Sequence, residues 1–273
     1  MSQDSTSSSR AAAARDWGRN VDFGRTSDDY ARFRPGPPPA LYDRLEQYIA
    51  LRDADAADIG TGVGFAAIEL ASRGARVTGI DPSASQLEQA ERLARERGVR
   101  VTWRVGTAEA TGLPDASLDL WLAVQAWHWF DPVKAAREAL RTLRPGGLAV
   151  CANFDYLPAR SNVARRTEEL ILRYAPSWPM ANGTGCHIRP LFDLPAAGFE
   201  PVEQISWEHI QPFTHASWRG RMRTCNAINA LKDADSAQAF DRDLDSLLRT
   251  EFPDEPLLIP HRVWLVLNRK PRR

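Results

Sequence analysis

The chain has 273 residues, of which 43% are hydrophobic and 26% charged. That is the balance of an ordinary globular protein, long enough for one large α/β domain with insertions, and length alone leaves two domains open. Lysine plus arginine (35) and aspartate plus glutamate (35) cancel to a formal net charge of zero, which argues against a dedicated nucleic-acid groove, since phosphate binding leaves a basic excess.

Other bulk features narrow the setting. Cys151, Cys186 and Cys225 lie far apart with no CxxC spacing. This odd set fits a reducing, cytoplasmic setting better than a disulfide framework. No apolar run approaches membrane-spanning length, so no membrane association is expected. The opening MSQDSTSSSRAAAAR has no apolar core and is not a secretory signal. Residues 1–25 are read as a disordered tail, with a transit peptide as the alternative.

In chain order, the rigid Pro35-Gly36-Pro37-Pro38-Pro39 precedes a helix expected over Leu41 to Ala50. A strand follows at Ala56–Ile59, then a helix at Phe65–Ser72 that Gly74 stops, then a strand at Arg76–Ile80. Ser83 and Gln86 have the spacing of a capping box. The helix they would open carries Leu87, Ala90 and Ala94 on one face and ends before Gly98. Further strands are expected at Arg100–Val105 and Leu118–Ala123. Asp131-Pro132 opens a helix with Val133, Ala136, Leu140 and Leu143 along one stripe, and Pro145-Gly146-Gly147 turns into a fifth strand, Leu148–Ala152. Such alternation implies a mostly parallel sheet covered on both faces.

Beyond Asn153 the pattern loosens. A helix is expected at Val163–Tyr174, a loop over 175–190 and a short helix ending near Leu194–Phe199. A strand at Val202–His209, helices over 214–250 and a last strand at Val263–Leu267 complete the reading.

The most telling segment is Asp58-Ile59-Gly60-Thr61-Gly62-Val63-Gly64, a strand running into a glycine turn and a helix, with Asp81 closing the next strand. Glycines admit a ligand close to the backbone, and an acid at the end of the second strand suits two ribose hydroxyls, so the order builds an adenosine pocket. The spacing departs from the GxGxxG of dinucleotide binders. Asp58 would repel a pyrophosphate and suits an ammonium. The bland alternatives are that Asp58 caps a helix while the glycines make a tight turn, and that Asp81 caps the next helix.

These pieces, with Gly79-Ile80-Asp81-Pro82, Gly106-Thr107-Ala108-Glu109, Leu113-Pro114-Asp115 and Leu143-Arg144-Pro145-Gly146-Gly147, resemble the class I S-adenosylmethionine-dependent methyltransferases over residues 26–153. Tyr30-Ala31-Arg32-Phe33-Arg34-Pro35 and Gln125-Ala126-Trp127-His128-Trp129-Phe130-Asp131 are similar to small-molecule enzymes near the trans-aconitate methyltransferase group.

The resemblance implies a doubly wound α/β fold with a mostly parallel seven-stranded sheet, Rossmann-like, and an inserted helical substrate cap. Residues 26–153 would form the S-adenosylmethionine core, 154–260 the rest of the core with the cap insertions, and 261–273 the last strand and tail. The implied cofactor contacts are Gly60, Thr61 and Gly62 on methionine and ribose, Asp58 toward the methionine ammonium, and Asp81 with Pro82 on the ribose. Thr107, Ala108 and Glu109 would line the adenine edge, with Gln125 and Ala126 on the methionine portion. Many relatives carry Asp where this chain has Thr107. A hydroxyl accepts more weakly, and Glu109 is the residue that would compensate.

Methyl transfer from a sulfonium demands alignment more than acid–base work, and positioning supplies roughly 7–11 kcal/mol. A carboxylate nucleophile needs no base; a hydroxyl or protonated amine does. His128 is the candidate base, its alternative being a histidine packed among Trp127, Trp129 and Phe130. Tyr30 is expected at the methionine end, with Arg34 holding the cofactor carboxylate or a substrate anion, or else sitting in a surface pair. In the cap, Arg219, Arg221 and Arg223 are expected to be mostly solvated, and Cys186-His187 with Arg189 form a further pocket element. His187, His209 and His215 lack metal-ligand spacing, so no metal is expected. The competing readings are a nicotinamide-dependent oxidoreductase, a nucleic-acid methyltransferase and a catalytically silent cofactor-binding protein.

Overall fold

The computed structural model describes residues 32–229, 231 and 234–272. Tyr30 and the expected tail over 1–25 lie outside them. One sheet of seven strands organises the chain: β1 (Asp55–Ile59), β2 (Arg76–Asp81), β3 (Thr102–Val105), β4 (Leu118–Val124), β5 (Leu143–Tyr156), β6 (Glu200–Phe213) and β7 (Leu257–Arg269). Their spatial order is β3-β2-β1-β4-β5-β7-β6. β2 and β4 flank β1, β3 pairs β2 and β5 pairs β4, all in parallel. Gly146 N–H bonds Lys270 C=O and Leu157 N–H bonds Pro260 C=O, which together run β7 against β5. Strand order reverses between β1 and β4, the switch point where sheets of this kind open a crevice at their carboxyl ends.

The strands divide their side chains by parity, as parallel strands buried on both faces must. On one face Ala56, Leu120, Leu122, Val150 and Ala152 pack with Leu41, Tyr42 and Leu45 of α1 (Pro39–Leu45) and Ala66, Ala67 and Leu70 of α2 (Phe65–Ser72). On the other, Ala57, Ile59, Trp121, Ala123 and Cys151 meet Ala135, Ala136 and Ala139 of α4 (Pro132–Thr142) and Leu194 of α6 (Pro190–Ala196). The remaining helices are α3 (Ala84–Glu96), α5 (Asn162–Tyr174), α7 (His215–Arg223), α8 (Asn226–Asn229) and α9 (Ala234–Glu251).

By contacts the described chain forms two compact units. One comprises Pro35–Phe154, Cys186–Trp207 and the chain from Val263 onward; the other comprises the chain up to Arg34 with Asp155–Gly185 and Glu208–Arg262. The second unit has its own core, in which Leu170 and Ile171 of α5, Trp218 and Met222 of α7 and Phe240, Leu244 and Leu248 of α9 are buried together.

Several local expectations are corrected. α1 ends at Leu45 rather than continuing to Ala50, giving way to turns. No capping box opens α3: the Ser83 side chain makes no cap bond and its hydroxyl lies 3.0 Å from that of Ser85. In α4 the buried residues are Ala135, Ala136, Glu138, Ala139 and Thr142, while Val133 stays 57% exposed. The inward face is rotated from the expected stripe because Glu138 is drawn in by Thr111, whose N–H it accepts at 2.9 Å, and by Arg141. Leu143-Arg144-Pro145-Gly146-Gly147 is not a separate turn. It begins the long β5 and makes an irregularity in its pairing with β4 between Leu118 and Leu120.

Candidate active site

After Ile59 the chain turns through Gly60 to Gly64 before entering α2. Gly60, Gly62 and Gly64 have φ of +67°, +55° and +84°, a region that costs other residues roughly 1–2 kcal/mol. Their surroundings differ. A Cβ on Gly60 would stand 2.7 Å from Ala126 Cβ, and one on Gly64 would stand 2.6 Å from the Trp103 ring. Those two glycines let neighbouring elements close up. At Gly62 the one atom within 4 Å would be Gln86 Oε1 at 3.8 Å, an ordinary contact, so no neighbouring element closes on this stretch of backbone.

The loop is fastened to the end of β2. The Gly60 and Thr61 N–H groups donate to Ile80 C=O at 2.8 and 3.0 Å, and Gly62 N–H donates to Asp81 Oδ2 at 2.9 Å. Asp81 Oδ1 accepts the Ser83 N–H at 2.9 Å. Each carboxylate oxygen therefore holds one backbone donor and retains a lone pair for a hydroxyl. Burial raises the Asp81 pKa, and the two N–H bonds oppose that rise.

Asp58 is more deeply enclosed, at 1% exposure. Its Oδ2 accepts the Thr61 hydroxyl at 2.6 Å and the Ala67 N–H at 3.0 Å, which is a helix-capping bond to α2. Its Oδ1 is buried without a hydrogen-bond partner. Desolvation lifts its pKa to about 6, the Thr61 and Ala67 bonds pull against it, and the Asp81 charge adds to the rise. With both oxygens enclosed, the carboxylate reaches the loop through its field rather than through exposed surface.

The next turn follows β3. Gly106 N–H donates to Asp81 C=O at 3.2 Å, which brings Thr107, exposed, and Ala108, buried, beside the end of β2. Glu109 Oε1 accepts the Asp131 N–H at 2.8 Å. One oxygen of the residue expected to compensate for Thr107 thus anchors the start of α4. Pro82 is exposed beside Asp81.

Across the switch point, β4 ends in Gln125, which holds φ at +57°. Its N–H donates to Ala152 C=O at 2.8 Å and its side-chain amide to Phe154 C=O. A left-handed glutamine is strained, and these two bonds to β5 hold it there. Ala126 is buried against Gly60. His128 lies half-buried in the short 3₁₀ turn Trp127–Trp129. Its ring centroid is 4.5 Å from that of Trp129 and 6.4 Å from that of His187, with which it stacks. Trp127 and Phe130 are core residues: both meet the fully buried Trp121 edge-on, and Trp127 Nε1 donates to Asp193 Oδ2 at 2.9 Å. Among the described residues no group of three His, Cys, Asp or Glu side chains is placed to hold a metal ion, and no helix is long and apolar enough to cross a membrane.

The structure thus gathers Asp58, Gly60, Thr61, Gly62, Asp81, Pro82 and the Thr107–Glu109 turn around the carboxyl ends of β1 to β3, with Gln125, Ala126 and His128 at the end of β4. Arg34 belongs to the other unit, where its Nε donates to Thr224 Oγ1 at 3.0 Å and its Nη2 to Thr224 C=O at 3.2 Å. Two residues escaped the sequence reading. Gln86, assigned to a cap, is instead buried and directed at Gly62. Arg221, expected in solvent, is 4% exposed. It falls one helical turn after Trp218, on the side of α7 that enters the core, and the Trp218–Arg221–Met222 spacing was the available signal.

A family model described as a methyltransferase domain matches residues 57–151, the segment that carries this geometry. An uncharacterized methyltransferase of Mycobacterium tuberculosis is 39% identical over 128 residues, 47% of this chain and 50% of that protein. The 27-O-demethylrifamycin SV methyltransferase of Amycolatopsis mediterranei is 30% identical over 231 residues, 76% of this chain and 85% of that protein. The chain belongs to the class I S-adenosylmethionine-dependent methyltransferases. It spans about half the length of the mycobacterial relative it matches. A solved structure assigned as a type II methyltransferase from Anaeromyxobacter dehalogenans superposes with a TM-score of 0.59 at 27% identity, covering 88% of this chain and all of that one. The family's cofactor, S-adenosylmethionine, fits the residues present: an uncrowded backbone at Gly62 for the close approach, and a carboxylate at Asp81 with acceptor capacity to spare.

Proposed function

We propose that the protein transfers a methyl group from S-adenosylmethionine to an oxygen or nitrogen atom of a small-molecule acceptor by in-line displacement. The observation that carries this reading is the pairing of Gly62, which no neighbouring element crowds, with Asp81, whose two carboxylate oxygens each keep a free lone pair. When bound, S-adenosylmethionine supplies an electrophilic methyl group on a sulfonium whose departing thioether is neutral.

The chain's own residues divide the remaining work. Asp81 accepts the ribose hydroxyls, with Pro82 alongside. Gly60, Thr61 and Gly62 present backbone to the ribose and methionine, and Asp58 makes the loop favourable for a cation. Thr107, Ala108 and Glu109 border the adenine and Gln125 and Ala126 the methionine portion, while Tyr30 and Arg34 are assigned to the methionine end by the resemblance alone. His128 takes the acceptor's proton on an imidazole nitrogen when that acceptor is a hydroxyl or an amine. The segment 154–260 shapes the acceptor's pocket.

The Amycolatopsis relative, named for 27-O-demethylrifamycin SV, supports an oxygen acceptor on a small molecule. The resemblance of Gln125–Asp131 to the trans-aconitate methyltransferase group supports the same scale of substrate. Zero net charge supports an acceptor other than nucleic acid. Reduced, buried Cys151 and Cys225 support a cytoplasmic setting.

Calorimetric titration of the purified protein with S-adenosylhomocysteine and with NAD tests the reading. Binding of the first alone is expected, and binding of NAD alone would replace it with an oxidoreductase. Tight S-adenosylhomocysteine binding with no methyl transfer to a broad metabolite panel would favour a catalytically silent protein.

A further inference from the structure

Two polar atoms are buried on one face of the sheet without a hydrogen-bond partner, the Tyr42 hydroxyl and Asp58 Oδ1. Alternation along β1 puts them on the same side. Ala57 and Ile59 point to one face, so Asp58 points with Ala56 to the other, where α1 and α2 pack. Tyr42, 1% exposed, shares that core with Ala66, Ala67 and Leu70 of α2, and the Ala67 N–H is the group that Asp58 Oδ2 accepts at 3.0 Å. Tyr42 and Asp58 belong to the same unit as the glycine loop.

A hydroxyl buried with no partner is less favourable than the phenylalanine that would fill the same space. The charges around Tyr42 indicate what the hydroxyl serves. Burial raises its pKa, the Asp58 and Glu69 charges add to the rise, and Arg73 opposes it. Glu69 and Arg73 are committed to each other at 2.9 Å. Arg73 also holds Asp43 at 2.7 Å and Glu46 at 2.9 Å, with its guanidinium carbon 5.5 Å from the Tyr42 ring centroid. Asp58 is the acid with an oxygen still to fill. Its other neighbours are the Thr61 hydroxyl and the Ala67 N–H, both on Oδ2, and the Asp81 charge. With its pKa raised to about 6, Asp58 stands between its neutral and charged forms, and an internal O–H donor favours the charged one.

We propose that Tyr42 is a positioning residue of the donor site: its hydroxyl is the internal hydrogen-bond donor that meets Asp58 Oδ1, directly or across one water, when that carboxylate is charged. This rests on the methyltransferase reading given above and deepens it. A cationic donor favours the charged form of Asp58, so in mildly acidic solution binding releases the carboxyl proton to solvent. Tyr42 keeps its own proton throughout and only donates a hydrogen bond. The loop then presents a full negative charge to the donor, and the carboxylate that supplies it is left with each oxygen bonded.

The test titrates the full chain with S-adenosylhomocysteine in a calorimeter, for the wild type, Tyr42→Phe, Asp58→Asn and the double variant. Phenylalanine keeps the ring and removes only the hydroxyl. Tyr42→Phe should bind about 3- to 10-fold more weakly than the wild type at about pH 5.5 and within about twofold of it at about pH 8, the pattern of a carboxylate whose titration has moved up by about 0.5 to 1 unit. Added to Asp58→Asn, the same substitution should change affinity less than about twofold at either pH. A loss of equal size at both pH values, or one that persists alongside Asp58→Asn, would make Tyr42 a packing residue and overturn the proposal, as would unchanged affinity at the lower pH. Urea denaturation of the free proteins gives a second reading. The stability of Tyr42→Phe relative to the wild type should fall as pH rises from about 5 to about 8, because the charged Asp58 then lacks its donor; a difference that stays flat would also overturn the proposal. Failure of the wild type to bind S-adenosylhomocysteine at either pH would overturn the methyltransferase reading instead, leaving the urea comparison to judge the pair by itself.

Discussion

Replacing Asp58 by asparagine separates a carboxylate kept for its charge from one kept as a helix cap. Burial raises its pKa from 3.8 to about 6, a shift of about 2 units, or about 3 kcal/mol. A raised folded-state pKa means that the folded protein holds this proton where the unfolded chain has lost it. The stabilising contribution is thus complete below about pH 4 and declines as pH rises through about 6. At neutral pH the free protein carries the whole penalty. Asparagine preserves an oxygen for the Thr61 hydroxyl and the Ala67 N–H and removes the charge, but it buries an amide group with no acceptor, at about 1–3 kcal/mol. Asp58→Asn should therefore match or exceed the wild type in stability at neutral pH and fall below it near pH 4. The difference between the two should swing by about 3 kcal/mol between those limits. Urea denaturation of both proteins across that range reads the swing. The companion measurement is S-adenosylhomocysteine affinity at neutral pH, which should fall about 10- to 100-fold in Asp58→Asn as the field at the loop is lost. A stability difference that stays flat with pH, together with unchanged affinity, would reduce Asp58 to a cap and refute the reasoning.

Asp81→Ala should weaken S-adenosylhomocysteine binding by about 1.5–3 kcal/mol in calorimetry, and an unchanged constant would remove this residue from the ribose site. The glycines should respond oppositely. Gly60→Ala drives a methyl group to 2.7 Å from Ala126 and should lower folding stability by about 2–4 kcal/mol. Gly62→Ala should cost only about 1–2 kcal/mol in stability yet reduce cofactor affinity at least tenfold; equal stability losses would show that the loop has no open side. His128→Ala should abolish turnover while leaving S-adenosylhomocysteine affinity within about twofold, as expected of a proton acceptor. Turnover that survives would mean the methylated atom is an ionised carboxylate that needs no base.

The donor half was legible because its signals are local. Chirality makes Gly60, Gly62 and Gly64 readable as a turn, and an acid closing the next strand needs no tertiary information to be found. The second helix, Phe65–Ser72, was bounded correctly by the turn before it and by Gly74 after it. What the local pattern could not supply was which side of each residue is occupied. Gly60 and Gly62 are identical in sequence terms, but only folding sets Ala126 against the first and leaves space beside the second. Val133 illustrates the same limit: it is apolar and helical, yet it points outward because Glu138 takes the inward place with Thr111 and Arg141. Arg221 is the sharpest case. Composition makes an arginine a surface residue by default, and only its position one turn from Trp218 indicates otherwise.

The zero net charge conceals an arrangement by unit. The glycine loop is underlain by two acids, Asp58 and Asp81, both with pKa values raised by burial, and the Asp81 charge adds to the rise at Asp58. The other unit buries a cation, Arg221, with a second, Arg34, acting on it. Acids kept in a low-dielectric setting favour a positively charged donor. Methyl transfer from a sulfonium to an anionic atom lowers the separation of charge as it proceeds. Water stabilises the separated ions and so opposes such a reaction, and a site that replaces water with fixed groups of the matching signs removes that opposition. The loop is thereby less stable than an apolar equivalent would be, which is the expected signature of acids retained for what they bind rather than for folding.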